Sequence, residues 1–225
     1  TYELIGKHIN GNAYNLDDDV LEKHGLRILK DVPITYNFYE TIATGIVGEG
    51  LIAKEFIDRL MLQIMANYSY DEVKVVTLTS NDNASSWDYM KTLPHSWSND
   101  KTFRYFGSTN DDYREIMYVL ESIYNQRKQE THDNSKHLPH YIIVTDAIKS
   151  IDNYDFLKEI MSSPVNYGFS IVMLVDKLNA LPNECKNFIE VTREDSKIFS
   201  SVINDNAQKF RIDFSPIEDI YNCSK

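Results

Sequence analysis

The stretch from Thr41 to Ile52 constrains this chain more than any other. An apolar run, Thr41-Ile42-Ala43-Thr44, leads into Gly45-Ile46-Val47-Gly48-Glu49-Gly50-Leu51-Ile52, and a helical pattern from Ala53 to Met61 follows at once. Strand, glycine-rich turn and amphipathic helix in that order form the opening unit of an α/β domain with a parallel sheet. Gly45 and Gly50 keep the spacing of a G-x-x-x-x-G-K-[ST] phosphate loop, in which backbone N–H groups cradle phosphates, the lysine neutralises them and the hydroxyl holds Mg²⁺. Leu51 stands at the lysine position, Ile52 at the hydroxyl position, and Glu49 puts a negative charge where phosphate oxygens would lie. Lys54 is the nearest replacement cation, but at ~1.5 Å rise per residue it lies about one turn past the lost lysine.

From Glu40 onward strands and helices alternate. Apolar runs predict strands over 41–47, 73–79, 102–106, 141–144 and 169–175, and periodic segments predict helices over 50–68, 109–130 and 154–161. Phe56, Leu60, Ile64 and Tyr68 recur at four-residue steps and define the core face of the first helix, with Met61 and Met65 packing on the sheet. Tyr113, Ile116, Met117, Leu120, Ile123 and Tyr124 do the same in the second, which opens on the N-cap cluster Thr109-Asn110-Asp111-Asp112. Short strands over 188–191, 197–199 and 209–214 close the chain, and they are expected to be antiparallel. Residues 1–31 read as an appendage or linker with a short helix over 16–25, and residues 32–225 as the domain. Val32 to Phe38 alternates like a strand, with Pro33 favouring an edge.

A second catalytic element would be an apolar strand ending in an acidic pair. Tyr141-Ile142-Ile143-Val144-Thr145-Asp146-Ala147 supplies the strand and the first carboxylate, then places Ala147 where the general base should be. Asp146 is expected to accept hydrogen bonds from neighbouring loops instead. Two defects at matching places predict a nucleotide-binding architecture without catalytic residues, bound cofactor or metal.

Other chemistries are poorly supported. The formal charge of −11 opposes nucleic acid as a partner, since phosphate-backbone binding is driven by clustered Lys and Arg. Cys185 and Cys223 make neither a disulfide framework nor a ligand spacing. His132, His137 and His140, with Cys185 or Asp133, are too irregularly placed for a metal site. There is no G-x-S-x-G elbow, no apolar run near the ~20 residues that span a bilayer, and no signal-peptide pattern at Thr1. Residues 80–100 are the longest polar excursion and hold Trp87 and Trp97. They offer either an interaction surface or anchors tucked under the sheet.

The succession Val32-Pro33-Ile34-Thr35, Gly45-Ile46-Val47-Gly48, Leu93-Pro94-His95-Ser96-Trp97, His140 through Asp146, and Leu181-Pro182-Asn183-Glu184-Cys185-Lys186 resembles one known module over roughly residues 25–215. It is similar to the degenerate ATPase-like domain that precedes the tandem ATPase domains of type VII secretion motor proteins, the EssC/EccC branch of the FtsK/SpoIIIE family. The resemblance implies a P-loop NTPase-like (RecA/FtsK-type) α/β fold, with a mostly parallel sheet flanked by helices. It implies a module on the cytoplasmic face of the bacterial plasma membrane, between two anchoring helices and the downstream ATPase domains, with no hydrolysis of its own. Its partners would be those ATPase domains, other parts of the secretion machine and secreted substrate proteins, with room for a homo-oligomer. Two alternatives stay open: a weak nucleotide-binding or ATPase domain that borrows Lys54 or a partner's cation, and a substrate-peptide-binding module using the 80–100 loop.

Overall fold

A computed structural model describes residues 34–130, 137–200 and 207–212. The expected helix over 16–25, Val32, Pro33, His132, Asp133 and Cys223 lie outside them, as does the 1–31 boundary. The described elements are β1 Ala43–Val47, α1 Leu51–Asn67, β2 Val73–Leu78, β3 Phe106–Gly107, α2 Asn110–Gln129, β4 His140–Thr145, α3 Ile148–Ile151, α4 Asp155–Ser162, β5 Phe169–Val175, β6 Asn187–Glu190, β7 Ser196–Phe199 and β8 Gln208–Phe210. The strands form one sheet in the order β3-β2-β4-β5-β1-β6-β7-β8.

From β3 to β6 every pairing is parallel, and β7 and β8 add antiparallel. The three C-terminal strands pair antiparallel in succession, as expected, and β6 also pairs parallel with β1. Residues 176–186 carry the chain back across the sheet, so β6 repeats the direction of β1, whereas the short turn from β6 to β7 can only make a hairpin. Strands β1, β2 and β5 are buried along their whole length, as expected of parallel strands covered on both faces. Helices α2 and α4 cover one face, through Tyr113, Ile116, Leu120, Tyr124, Phe156 and Ile160. Helix α1 and the segment carrying Trp87 cover the other.

Local sequence accounts for most of these elements. Helix α2 starts at a capping box: Thr109 Oγ1 accepts from the Asp112 amide at 3.2 Å, and Asp112 Oδ2 accepts from the Thr109 amide at 2.9 Å. Helix α1 is rotated from the expected stripe. Its buried residues are Ala53, Ile57, Asp58 and Met61, while Tyr68 is half exposed, because the helix turns Asp58 inward to meet polar partners described below. The strand expected over 32–38 is not formed by residues 34–38. Ile34, Tyr36 and Phe38 still pack on the α1 side of the core. Tyr36 pairs with the Thr44 hydroxyl at 2.9 Å and the Phe38 carbonyl accepts from Ser170, so their alternation reflects packing without a strand ladder. The strand expected over 102–106 is reduced to β3, preceded by a single bridge between Arg104 and Trp97. Residues 80–100 are mostly 3-10 turns, Ala84–Thr92 and Pro94–Ser96.

Candidate functional site

A cleft of about 740 Å³ lies at the carboxyl ends of β1, β2, β4 and β5, where parallel α/β sheets characteristically take ligands. Gly48, Gly50, Leu51 and Lys54 line one side, Ser80, Asn83 and Ser86 another, and Asp146, Ala147 and the residues after β5 complete it. Both catalytic-type segments singled out in the sequence therefore converge on one place.

The two outer glycines do not bracket a loop. Gly45 lies at the middle of β1, paired with Met173 on one side and Phe188 on the other. It is small because Leu181 packs over it: a Cβ there would come within 2.3 Å of the Leu181 side chain. The connection between strand and helix is thus only Gly48, Glu49 and Gly50. Gly50 is the residue before the helix, at φ 64° and ψ −137°, a conformation that glycine adopts at least cost. A G-x-x-x-x-G cradle needs the residues between its outer glycines to form the loop, and here two of them, Ile46 and Val47, belong to the strand. Glu49 is exposed, Leu51 is 76% exposed at the cleft mouth, and Ile52 is half-buried against the core. Neither the ammonium nor the hydroxyl that a triphosphate with Mg²⁺ requires is present at these positions, so the residues do not fit that ligand.

Lys54 has other partners. Its ammonium pairs with Asp58 one turn along α1 and sits 4.0 Å above the Trp87 ring. Asp58 also accepts from the Tyr89 hydroxyl at 2.6 Å. Burial lowers the Lys54 pKa, opposed by Asp58 and by the field of Asp146. Burial raises that of Asp58, opposed by Lys54, Tyr89 and Arg59. The helix thereby fastens the Trp87–Tyr89 turn to its own buried face. Asp58 and Tyr89 went unrecognised in the sequence, although the Lys54–Asp58 spacing of four on an otherwise apolar face was a usable signal.

Asp146 accepts hydrogen bonds as expected. Its Oδ2 receives the Trp87 indole N–H at 3.0 Å and the Asn83 amide at 3.1 Å. Trp87 is completely buried, so of the two readings of the 80–100 segment the anchoring one holds for this residue; Trp97 is half-buried and donates to the Lys91 carbonyl at 3.3 Å. Ala147 is buried in the core beside α4, with its amide on the Thr145 hydroxyl. Of the candidate histidine cluster, His132 and Asp133 lie outside the described residues. His140 pairs with Ser170, Cys185 donates to the Asn187 carbonyl, and no group of three His, Cys, Asp or Glu suited to a metal occurs among the described residues.

Fold and cleft define the class: a mostly parallel α/β domain of the P-loop NTPase type, closed by antiparallel C-terminal strands. Comparison with known proteins then agrees with the resemblance read from the sequence. The chain is 25% identical over 198 residues to the ESX secretion system protein YukB of Bacillus subtilis, covering 82% of the chain and 13% of that protein. It is 25% identical over 185 residues to the ESX secretion system protein EccC of Geobacillus thermodenitrificans, covering 79% and 12%. With the type VII secretion system protein EssC of Staphylococcus aureus it shares 20% over 218 residues, covering 94% and 14%. It is similar to a segment of these secretion proteins, and spans roughly an eighth of their length. No protein-family model matches it. Among solved structures, EssC ATPases 2 and 3 from G. thermodenitrificans superpose with a TM-score of 0.59 at 12% identity, over 83% of this chain and 43% of that one. EccC ATPases 2 and 3 of Thermomonospora curvata, in complex with a signal sequence peptide, give 0.55 at 13% identity, over 83% and 42%. At such identities the structural likeness speaks for the fold. Among the described residues no helix is long and apolar enough to cross a membrane.

Proposed function

We propose that this chain is a non-catalytic, ATPase-like module of a type VII secretion motor, standing between the membrane anchor and the downstream ATPase domains and coupling the two. The observation that carries this reading is the three-residue connection Gly48–Gly50, which leads into Leu51 while Lys54 is paired with Asp58. A strand-to-helix turn so short can hold the architecture without cradling phosphates. Ala147 at the end of β4 adds to it, since no base follows Asp146. The relatives are secretion-system proteins, which supports a place on the cytoplasmic face of the plasma membrane, with neighbouring ATPase domains and other machine components as partners. One structural neighbour was solved with a signal sequence peptide, which supports secreted proteins among the contacts of such motors. The charge of −11 speaks against nucleic acid as cargo.

The reading of a weak ATPase that borrows Lys54 would require its ammonium to leave Asp58 and the Trp87 ring. The deciding experiment titrates the purified chain with Mg-ATP by calorimetry and assays phosphate release, beside a Leu51→Lys, Ile52→Thr double variant. Neither protein is expected to give heat or turnover, because restoring two side chains does not lengthen the connection. Turnover by the unaltered chain that is abolished by Gly50→Ala or Asp146→Asn would refute the proposal. Binding created by the double variant would refute the argument from loop length.

A further inference from the structure

The cleft at the carboxyl ends of the strands has a cationic side. Strands β4 and β5 are neighbours in the sheet, and the segments that follow them bring Lys149 and Lys177 into one lining. Both side chains belong to exposed residues, and among the described residues neither forms an ion pair. Lys54, the third lysine of the lining, is held by Asp58. Two carboxylates share the lining. Asp146 already accepts from Trp87 and Asn83, and Asp176 is exposed and pairs with neither lysine. Like charges gathered in one cleft repel, and a cleft focuses their field on an anion arriving from outside. Much of the remaining wall is apolar, with Ala53, Ala147, Leu174 and Ala180 in the lining and Leu51 76% exposed at the mouth.

We infer that the cleft receives an acidic segment of a partner protein, a glutamate or aspartate meeting Lys149 and Lys177 while a neighbouring aliphatic side chain covers Leu51. Exposed lysines contribute little each, so charge sets the choice of partner and the apolar wall supplies much of the affinity. A segment that carries a carboxylate beside an aliphatic side chain meets both needs. A phosphate group has no apolar part to cover Leu51, and the Gly48–Gly50 connection is too short to cradle it. The volume of about 740 Å³ lies within the range of about 300–1,000 Å³ typical of ligand pockets, which is room for a few side chains. This inference rests on the reading that nucleotide does not occupy the cleft.

The test titrates the isotope-labelled chain with acetyl-Leu-Glu-Leu-amide, with the same peptide carrying glutamine, and with sodium phosphate, and follows backbone amides by NMR. Ala147, Lys149 and Ala180 report on the cleft, and Tyr118, exposed on α2, serves as the distant reference. The glutamate peptide is expected to shift the cleft amides with a Kd of about 1 mM and to leave Tyr118 unmoved. The glutamine peptide should bind about fivefold more weakly, and that preference should shrink in about 0.5 M salt. Lys149→Gln combined with Lys177→Gln, both at exposed positions, should abolish the preference and leave the rest of the spectrum in place. Leu51→Ala should weaken both peptides alike. Equal binding of the two peptides, a preference that survives the double lysine variant, a response to phosphate as strong as to the glutamate peptide, or no shift of the cleft amides up to about 10 mM would each overturn the inference. Shifts of the same amides by Mg-ATP would instead overturn the reading beneath it, so the two failures are told apart.

Discussion

Stability should fall steeply as the solution is acidified through the range in which histidine normally charges, and His140 is the reason. It opens β4 at the edge of the core, where its Nε2–H donates to the Ser170 hydroxyl at 2.8 Å while that hydroxyl donates to the Phe38 carbonyl at 2.6 Å. Its Nδ1 is buried with no hydrogen-bond partner, so a second proton there would have no acceptor. Burial, and then the nearby Arg127 guanidinium, push the His140 pKa down from 6.5 to about 4. Because the folded pKa is the lower one, the unfolded chain binds the extra proton between these two values. The contribution is complete above pH 6.5 and is lost as the pH falls towards 4. At about 1.4 kcal/mol per unit, the full interval corresponds to about 3 kcal/mol. Urea unfolding at several pH values between 7 and 4, on the native chain and on His140→Gln, isolates the term, since other acid-sensitive groups are common to both. Over that interval the native chain should lose about 2–3 kcal/mol more than the variant. Parallel pH profiles would refute the argument.

Three further perturbations test the local physics of the site and its frame. Gly50→Ala should cost about 1–3 kcal/mol in chemical unfolding; nothing lies within 4 Å of the added methyl, so the loss measures the strain of φ 64° alone, and an unchanged midpoint would refute it. Lys54→Met should cost about 3 kcal/mol by leaving Asp58 buried with Tyr89 as its remaining named donor, and adding Asp58→Asn should recover part of that; strictly additive losses would deny the coupling. Thr109→Ala should cost about 1 kcal/mol through the capping box of α2, read from the same unfolding curves, with no loss meaning that the Asp112 carboxylate alone holds the helix start.

Elements carried by a strong period were legible. The strand over 169–175 and the apolar stripe of α2 follow directly from side-chain order, because a run of seven in which only Ser170 is polar and a 3.6-residue repeat have few alternatives. Gly45 shows where such reading stops. The apolar run put it in the strand over 41–47 while the glycine spacing made it the start of a loop, and the choice in favour of β1 depends on pairing with β5 and β6 and on Leu181, which is 136 positions further along the chain. Residues 34–38 show the converse: their alternation is real, but whether it forms a ladder depends on a neighbouring strand edge that the segment itself does not encode. In the site, Asp146 was identifiable because it ends an apolar strand. Asp58 was not, because a carboxylate in an amphipathic helix is ordinarily solvated, and only Lys54 and Tyr89 make its burial tolerable.

The same residues also bear on the proposed non-catalytic reading, because they tie the cleft together through protein side chains alone. In a hydrolysing relative of this architecture, phosphates and metal would bridge the glycine turn and the carboxylate that ends the acidic strand. Here the bridge consists of protein side chains. Trp87 joins Asp146 through its indole N–H and α1 through the Lys54 ammonium above its ring, and Tyr89 adds a hydroxyl to Asp58. Strand β4, the 3-10 segment and α1 are therefore tied together beside the cleft by protein side chains alone. A carboxylate in a metal-dependent enzyme must stay free to exchange ligands, whereas Oδ2 of Asp146 is committed to two donors.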